Sequence, residues 1–416
     1  MDIGVERIAR DLTWLLIGAS VLGMLADRLR IPYAASLVLA GVLVAESGLV
    51  SVPQLEPSLV LLVFLPPLLF DAAFRLDSRE LGGLVRPLLL LALPGTVLTA
   101  FVVGGILALA LGLPLSVALL FGGVVAATDP VAVVSVFRRM HVAPRLTVVI
   151  EAESLLNDGV AIALYGALLG LAVSGTARVD ESALLFLWRM LAGIALGAGF
   201  GFVFSHLTRL TDDHLTEMML STALAYGSYL AVEALGASGP LACVAAGVVH
   251  GSYGRAIGMS PLTRQRLDDL WEYVGFFANG LLFLMLGFTV NLASLRAQAW
   301  PVAVAIAAVL LARVLLIGLS TLLPPDQQPG TSVGERIVLV WGGLRGALTV
   351  TLALALPADT PGRELVTTLA LGTVLFSLVV QGLTLPWVIR RLGLSLDRAP
   401  GKASSGSGAD ATMARR

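Results

Sequence analysis

Cysteine and lysine each occur once in these 416 residues, as Cys243 and Lys402. A lone cysteine in an apolar run forms neither an intrachain disulfide nor a thiolate metal centre. With Lys402 in the tail, any mechanism that needs an intramembrane lysine is excluded. Charge is scarce as well: charged residues are 13% of the chain, roughly half the share in a soluble domain. The net charge of -1 leaves no basic excess with which to hold nucleic acid. Aromatic residues are only 6%, whereas hydrophobic residues reach 57% and the mean hydropathy is +0.90. Such a chain resides in lipid. A cleavable leader is not expected: Met1 to Asp11 carries mixed charge, and the apolar run that follows ends in Asp27-Arg28 with no small-residue cleavage site. At the other end, Ala399 to Arg416 is rich in Gly, Ser and Ala and is expected to form a disordered tail, with no regulatory domain.

The fold class predicted is an all-α polytopic membrane protein. A bilayer-spanning helix needs about 20 mostly apolar residues. Thirteen runs qualify, near 12–27, 32–50, 57–74, 84–112, 114–137, 147–174, 183–207, 216–236, 238–255, 270–290, 298–323, 335–357 and 364–390. The arginines test this count. With thirteen spans, the N-terminal side carries only Arg7, Arg10, Arg178, Arg296 and Arg363. The opposite side carries Arg28, Arg75, Arg138, Arg139, Arg145, Arg209, Arg255, Arg264, Arg336, Arg390 and others besides. The positive-inside rule then places the N-terminus outside and the C-terminus in the cytoplasm.

Two spans are interrupted. The fifth holds Ala127-Thr128-Asp129-Pro130, where proline removes a donor and disfavours helix before it. The twelfth holds Gly342-Gly343-Leu344-Arg345-Gly346, three glycines around one charge. Units of six helices beginning at the first and eighth spans have opposite topology, and these breaks fall at matching positions in them. Broken helices in inverted repeats point to a transporter's ion site. Glycine-rich helix packing is the bland alternative.

Ionisable side chains in hydrocarbon are costly and usually functional. The candidates are Asp71, Asp129, Glu153, Asp158, Arg313 and Arg345, with Glu233 and His250 at the margin. Asp158 is the best placed. It shares a helix face with Ser154, four residues before it, so a carboxylate and a hydroxyl are offered to a hard cation, which prefers oxygen. A carboxylate withdrawn from water gives up its charge more readily, so proton and cation compete for it. One-for-one exchange follows if the loaded site can face either side and the bare charge cannot. A purely structural reading pairs Asp158 with Arg313 or Arg345. Thr128 and Asp129 sit at the break, where Thr128 can turn oxygen toward the cation and Asp129 can balance the half-helix dipoles. Arg345 is expected to neutralise the half-helix C-terminus in its own, twelfth span, a role in the fold more than in ion contact. Glu46 and Glu233 are read as reaching water, and His250 as an inert core histidine, with a pH sensor as the sharper alternative.

The strings at 64–73 (FLPPLLFDAA), 127–131 (ATDPV), 153–159 (ESLLNDG) and 342–347 (GGLRGA) together resemble the NhaP-type sodium/proton antiporters of the cation/proton antiporter (CPA1) family, related to the animal sodium/proton exchangers. The resemblance covers nearly the whole membrane region. It implies a plasma-membrane homodimer that exchanges sodium for protons by elevator-like alternating access and is a secondary transporter, not an enzyme. A single membrane unit would occupy 1–398, its core domain drawn from helices within about 57–174 and 270–390, the remaining helices dimerising, and 399–416 forming the tail. Asp158, Ser154 and Thr128 would hold the ion, with Asp71 as a further ligand, and Asn157 and Asp129 would support the crossing. Glu153 and Arg345 would form a buried ion pair, and Arg313 would be a core arginine. The Asn157-Asp158 pair resembles the electroneutral branch, since electrogenic relatives carry two aspartates. Asp71 replaces a glutamate common in prokaryotic relatives and Glu151 an uncharged residue, which makes the reach of Asp71 the weak point of that ligand set. No cofactor is implied beyond transported Na+ or Li+ and H+; the partners are those ions, the bilayer and a second copy. A channel, an intramembrane aspartyl protease (opposed by the absence of a Gly-x-Gly-Asp string) and a potassium- or lithium-selective antiporter are the alternatives.

Overall fold

The computed structural model describes residues 13–14, 17–26, 28, 31–47, 60–76, 84–174, 179–324 and 328–395. The predicted tail and the extreme N-terminus lie outside these. Every regular element among the described residues is helical, which answers the demand that backbone groups in hydrocarbon be paired within their own segment. In chain order the helices are α1 (Ile17–Ala26), α2 (Tyr33–Ser47), α3 (Leu65–Arg75), α4 (Val85–Leu111), α5 (Leu115–Val124), α6 (Val131–Arg139), α7 (Pro144–Ser174) and α8 (Val179–Thr208). They continue as α9 (His214–Ala234), α10 (Gly239–Val249), α11 (Pro261–Thr289), α12 (Ala299–Leu319), α13 (Val333–Trp341), α14 (Ala347–Leu354), α15 (Arg363–Leu375) and α16 (Gly382–Arg391). A π-helical turn, Phe376–Gln381, joins the last two into one rod.

Six of these segments are individually long and apolar enough to cross a bilayer: Val85–Leu111, Pro144–Val173, Ala183–Thr208, Pro261–Thr289, Ala299–Leu322 and Arg363–Arg391. Of the other expected spans, 216–236 falls on the unbroken 21-residue α9, which is long enough but less apolar, and the rest fall on shorter or broken helices. Large apolar side chains lie open on the outer faces, among them Leu109, Leu184, Trp188 and Leu191, as lipid contact requires.

Local chemistry sets the boundaries. Gly112, at φ 65°, ends α4 just before Pro114. Gly236, at φ 75°, turns the chain into α10, whose Ser238 side chain accepts the Leu241 N–H. Both breaks fall where the hydropathy scan splits the chain. One boundary differs: α11 starts at Pro261, not near 270. Ser260 caps the Thr263 N–H and Pro261 supplies a preset φ, so the helix runs on through Arg264, Arg266 and Asp268. Charge ends the hydrocarbon crossing, not the helix.

Packing sorts the helices around a central cavity. On one side α4 packs against α5, α7 and α12. On the other, α11 lies along α2, while α10 is wedged among α3, α8 and α9. The α2–α11 contact is backbone on backbone: a β-carbon on Gly41 would come within 2.8 Å of the Gly287 Cα, and one on Gly287 would meet the Val38 carbonyl. Forcing bulk into such a contact costs on the order of 1–3 kcal/mol. Gly287→Val should therefore lower the unfolding temperature of the purified protein, whereas Gly105→Ala, with no neighbour within 4 Å of the added carbon, should hold or raise it. Equal melting of the two variants would contradict the close approach.

Candidate ion-binding site

The two interruptions cross each other. Beyond α5 the chain unwinds through 126–130, and beyond α13 through 343–346. The strands of this crossing touch where the Asp129 N–H donates to the Leu344 carbonyl at 2.8 Å. The Asp129 carboxylate accepts the Val131 N–H at 2.9 Å and faces the Ala347 N–H, so one acid serves the positive N-terminal ends of both α6 and α14. Its carboxylate fills the space where a side chain on Gly346 would stand. Arg345 does the converse. It is 1% exposed, and its Nη1 donates to the carbonyls of Ala126 and Ala127, both at 2.7 Å, at the negative end of α5. The neutralisation expected within the twelfth span is instead made across the crossing, on the partner half-helix.

The ion pair implied by the resemblance needs correction. Glu153 pairs with Arg313, not with Arg345: Arg313 Nη2 donates to Oε2 at 2.9 Å and Nη1 contacts Oε1. Both residues are buried. Arg313 reaches from α12 past Gly343, where no side chain stands in its way, and its Nε donates to the Leu339 carbonyl at 3.1 Å. Arg345 is meanwhile held by the two carbonyls beyond α5.

Asn157 clamps the first break with both ends of its amide. Oδ1 accepts the Thr128 N–H at 3.2 Å and Nδ2 donates to Thr128 Oγ1 at 2.7 Å. Thr128 Oγ1 also lies 2.9 Å from Ser154 Oγ. The two predicted hydroxyl ligands are therefore one coupled pair, a turn from Asp158. Asp158 itself forms no ion pair among the described residues, and its buried Oδ1 has no hydrogen-bond partner there. Neither arginine invoked by the structural reading engages it.

Asp158, Thr128 and Asp129 line a cavity of about 970 Å³ together with Asp71, Glu272 and Asn279. Asp71 shares this cavity, but its carboxylate accepts from Arg75 Nε at 2.5 Å, and Arg75 Nη1 lies 3.5 Å from Glu272. The structure thus engages Asp71 with Arg75 on its own helix. Glu151 is on the cavity wall 3.1 Å from Arg138. His250 is fully buried against the rings of Phe70 and Phe74, with Ser205 Oγ 3.2 Å from Nδ1, and Glu46 and Glu233 are exposed.

Sequence reasoning passed over Arg75, Glu272, Asn279 and Gln381. The Asp71–Arg75 spacing of four was a legible signal. Asn279 and Gln381 are uncharged, and the cost of burial in lipid marks charge, not amides. Gln381 Nε2 donates to the Trp341 carbonyl at 3.0 Å, closing the end of α13.

A helical membrane protein with two crossed, interrupted helices beside a partnerless carboxylate has the architecture of a secondary transporter. The family model for the transmembrane sodium/hydrogen exchanger matches residues 15–391. The chain belongs to that family and is a transporter, not an enzyme. Among its relatives, the Na(+)/H(+) antiporter ApNhaP of Aphanothece halophytica is 39% identical over 407 residues, covering 95% of this chain and 78% of that protein. The Na(+)/H(+) antiporter NhaH of Halobacillus aidingensis is 36% identical over 394 residues, covering 92% and 96%. The solved structure of the sodium proton antiporter MjNhaP1 from Methanocaldococcus jannaschii at pH 8 shares the fold with a TM-score of 0.74 at 21% identity, covering 92% of this chain and 100% of that one.

The buried pair yields a test. Glu153→Leu alone strands a buried guanidinium and should cost about 3–5 kcal/mol, whereas Glu153→Leu with Arg313→Leu removes both charges and should recover much of that loss. Thermal unfolding of the two variants in detergent reads the difference; a double variant no more stable than the single one would argue against the pairing.

Proposed function

We propose that this chain is a sodium/proton antiporter in which Na+ and H+ compete for Asp158, exchanging one for one by alternating access. The single observation that carries the reading is the Asp158 carboxylate: it lines the cavity, makes no ion pair among the described residues and keeps a buried oxygen without a partner. A structural aspartate in hydrocarbon would be paired or fully hydrogen-bonded. A site that trades a cation for a proton must instead keep its oxygens free for both.

Thr128 and Ser154 supply neutral oxygens beside the acid, and Asn157 holds Thr128 in place. Because Asn157 carries no charge, Asp158 alone changes state over the cycle, which supports electroneutral stoichiometry. Asp71 acts at the rim of the cavity and reaches the ion only when Arg75 lets go. Sodium, or lithium in its place, is the hard cation that a carboxylate and hydroxyls suit. The reading also includes thirteen crossings in inverted repeats, an outside N-terminus with a cytoplasmic C-terminus, a plasma-membrane location, and a homodimer within which the core domain moves against the dimerisation domain. The arginine asymmetry supports the span count and orientation and the matched interruptions the inverted repeats; the location and the homodimer rest on the family likeness.

In proteoliposomes with an imposed pH gradient, Asp158→Asn should reduce exchange to the level of empty vesicles while the protein purifies and melts as a folded species. Exchange that survives the substitution would remove Asp158 from the centre of the mechanism. Competition also fixes a sign. Raising sodium should move the pH optimum of exchange toward acid, since more protons are then needed to displace the cation; an optimum indifferent to sodium would rule out a shared site.

A further inference from the structure

Thr349 is the third residue of α14, in the first turn after the second interruption. A threonine buried in a helix ordinarily satisfies its hydroxyl on the carbonyl four residues earlier, as Thr351 does on Ala347 at 2.9 Å. For Thr349 that carbonyl belongs to Arg345, inside the unwound stretch, where no helical turn aims it back. The hydroxyl is left over. Thr349 is 1% exposed, its Oγ1 is buried with no hydrogen-bond partner among the described residues, and the residue lines the same cavity as Asp158. Valine would fill the same volume without stranding a hydroxyl, and a lone buried hydroxyl costs stability. Two residues that each hold a partnerless buried oxygen, Asp158 with Oδ1 and Thr349 with Oγ1, therefore line one cavity, carried by helices from the two interrupted halves.

We propose that Thr349 supplies a further oxygen ligand to the transported cation, completing from α14 the set begun by Asp158, Thr128 and Ser154. The inference rests on the cavity being the cation site of the exchange cycle. It assigns the second interruption a direct part in holding the ion, beyond making room for the first.

Thr349→Val and Thr349→Ser, each as full-length purified protein, test it. In sodium-free buffer Thr349→Val should melt at the wild-type temperature or above, because it removes a hydroxyl with no protein partner. In proteoliposomes the same variant should show a KM for sodium raised about tenfold with kcat little changed, the signature of a lost ground-state contact, and Thr349→Ser should restore the wild-type KM. An unchanged KM in Thr349→Val overturns the assignment. So does a lowered melting temperature in sodium-free buffer, since the hydroxyl would then have a structural partner. Wild-type protein that fails to exchange sodium would defeat the antiporter reading instead. Thr349 would then be judged on the thermal shift induced by Li+, Na+ or K+ in detergent: a shift weakened in Thr349→Val supports a cation ligand, and equal shifts in both proteins reject it.

Discussion

Breaking a helix inside hydrocarbon exposes carbonyls at one end and N–H groups at the other, with no water to satisfy them. Everything around the candidate site answers that constraint. Beyond α5, Phe121 and Gly123 accept from Val125 and Ala126 in a tightened last turn, and Arg345 takes the carbonyls of Ala126 and Ala127. At the end of α13, Val338 accepts from Gly342, Leu339 from Arg313 and Trp341 from Gln381. Asp129 meets the opposite ends, the N-termini of α6 and α14. Unwound backbone at this depth persists because loose groups at both breaks have been given partners, several of them from another helix, and that mutual dependence locks the two breaks together.

The glycine contacts belong to the same logic. Gly346 leaves space for Asp129, and Gly343 leaves the path for Arg313. The residues that break the helices are also those that admit the charges compensating the breaks. A side chain at either position would both favour helix and shut out its neutraliser.

What could be read from the chain follows from how far each signal travels along it. Proline at 130 and glycines at 342, 343 and 346 act on their own backbone, so both interruptions were legible. The Ser154–Asp158 face was legible for the same reason, since helical periodicity is local. Partner choice was not. Glu153 and Arg313 are 160 residues apart, and nothing local distinguishes Arg313 from Arg345 as the arginine that meets Glu153; only the approach of α12 past Gly343 decides it. Uncharged groups stayed hidden because the cost that flags a charge in lipid does not flag an amide or a hydroxyl. Gln381 became visible only through the carbonyl it caps, and the start of α11 only through the cap at Ser260.

The pairing of Glu153 with Arg313 also has an electrical meaning. Around the crossing, the formal charges of Glu153 and Asp129 balance those of Arg313 and Arg345, leaving the carboxylate of Asp158 unmatched. A membrane potential does work of about 2.3 kcal/mol per elementary charge per 100 mV, and it can grip only a body that carries net charge. On the proposed exchange at Asp158, a bound proton or monovalent cation would leave this assembly nothing for the field to pull on; emptied, it would be an anion that the voltage resists or drives according to direction. On that reading the balanced arginines would act as insulation, confining the influence of membrane voltage to the unoccupied state.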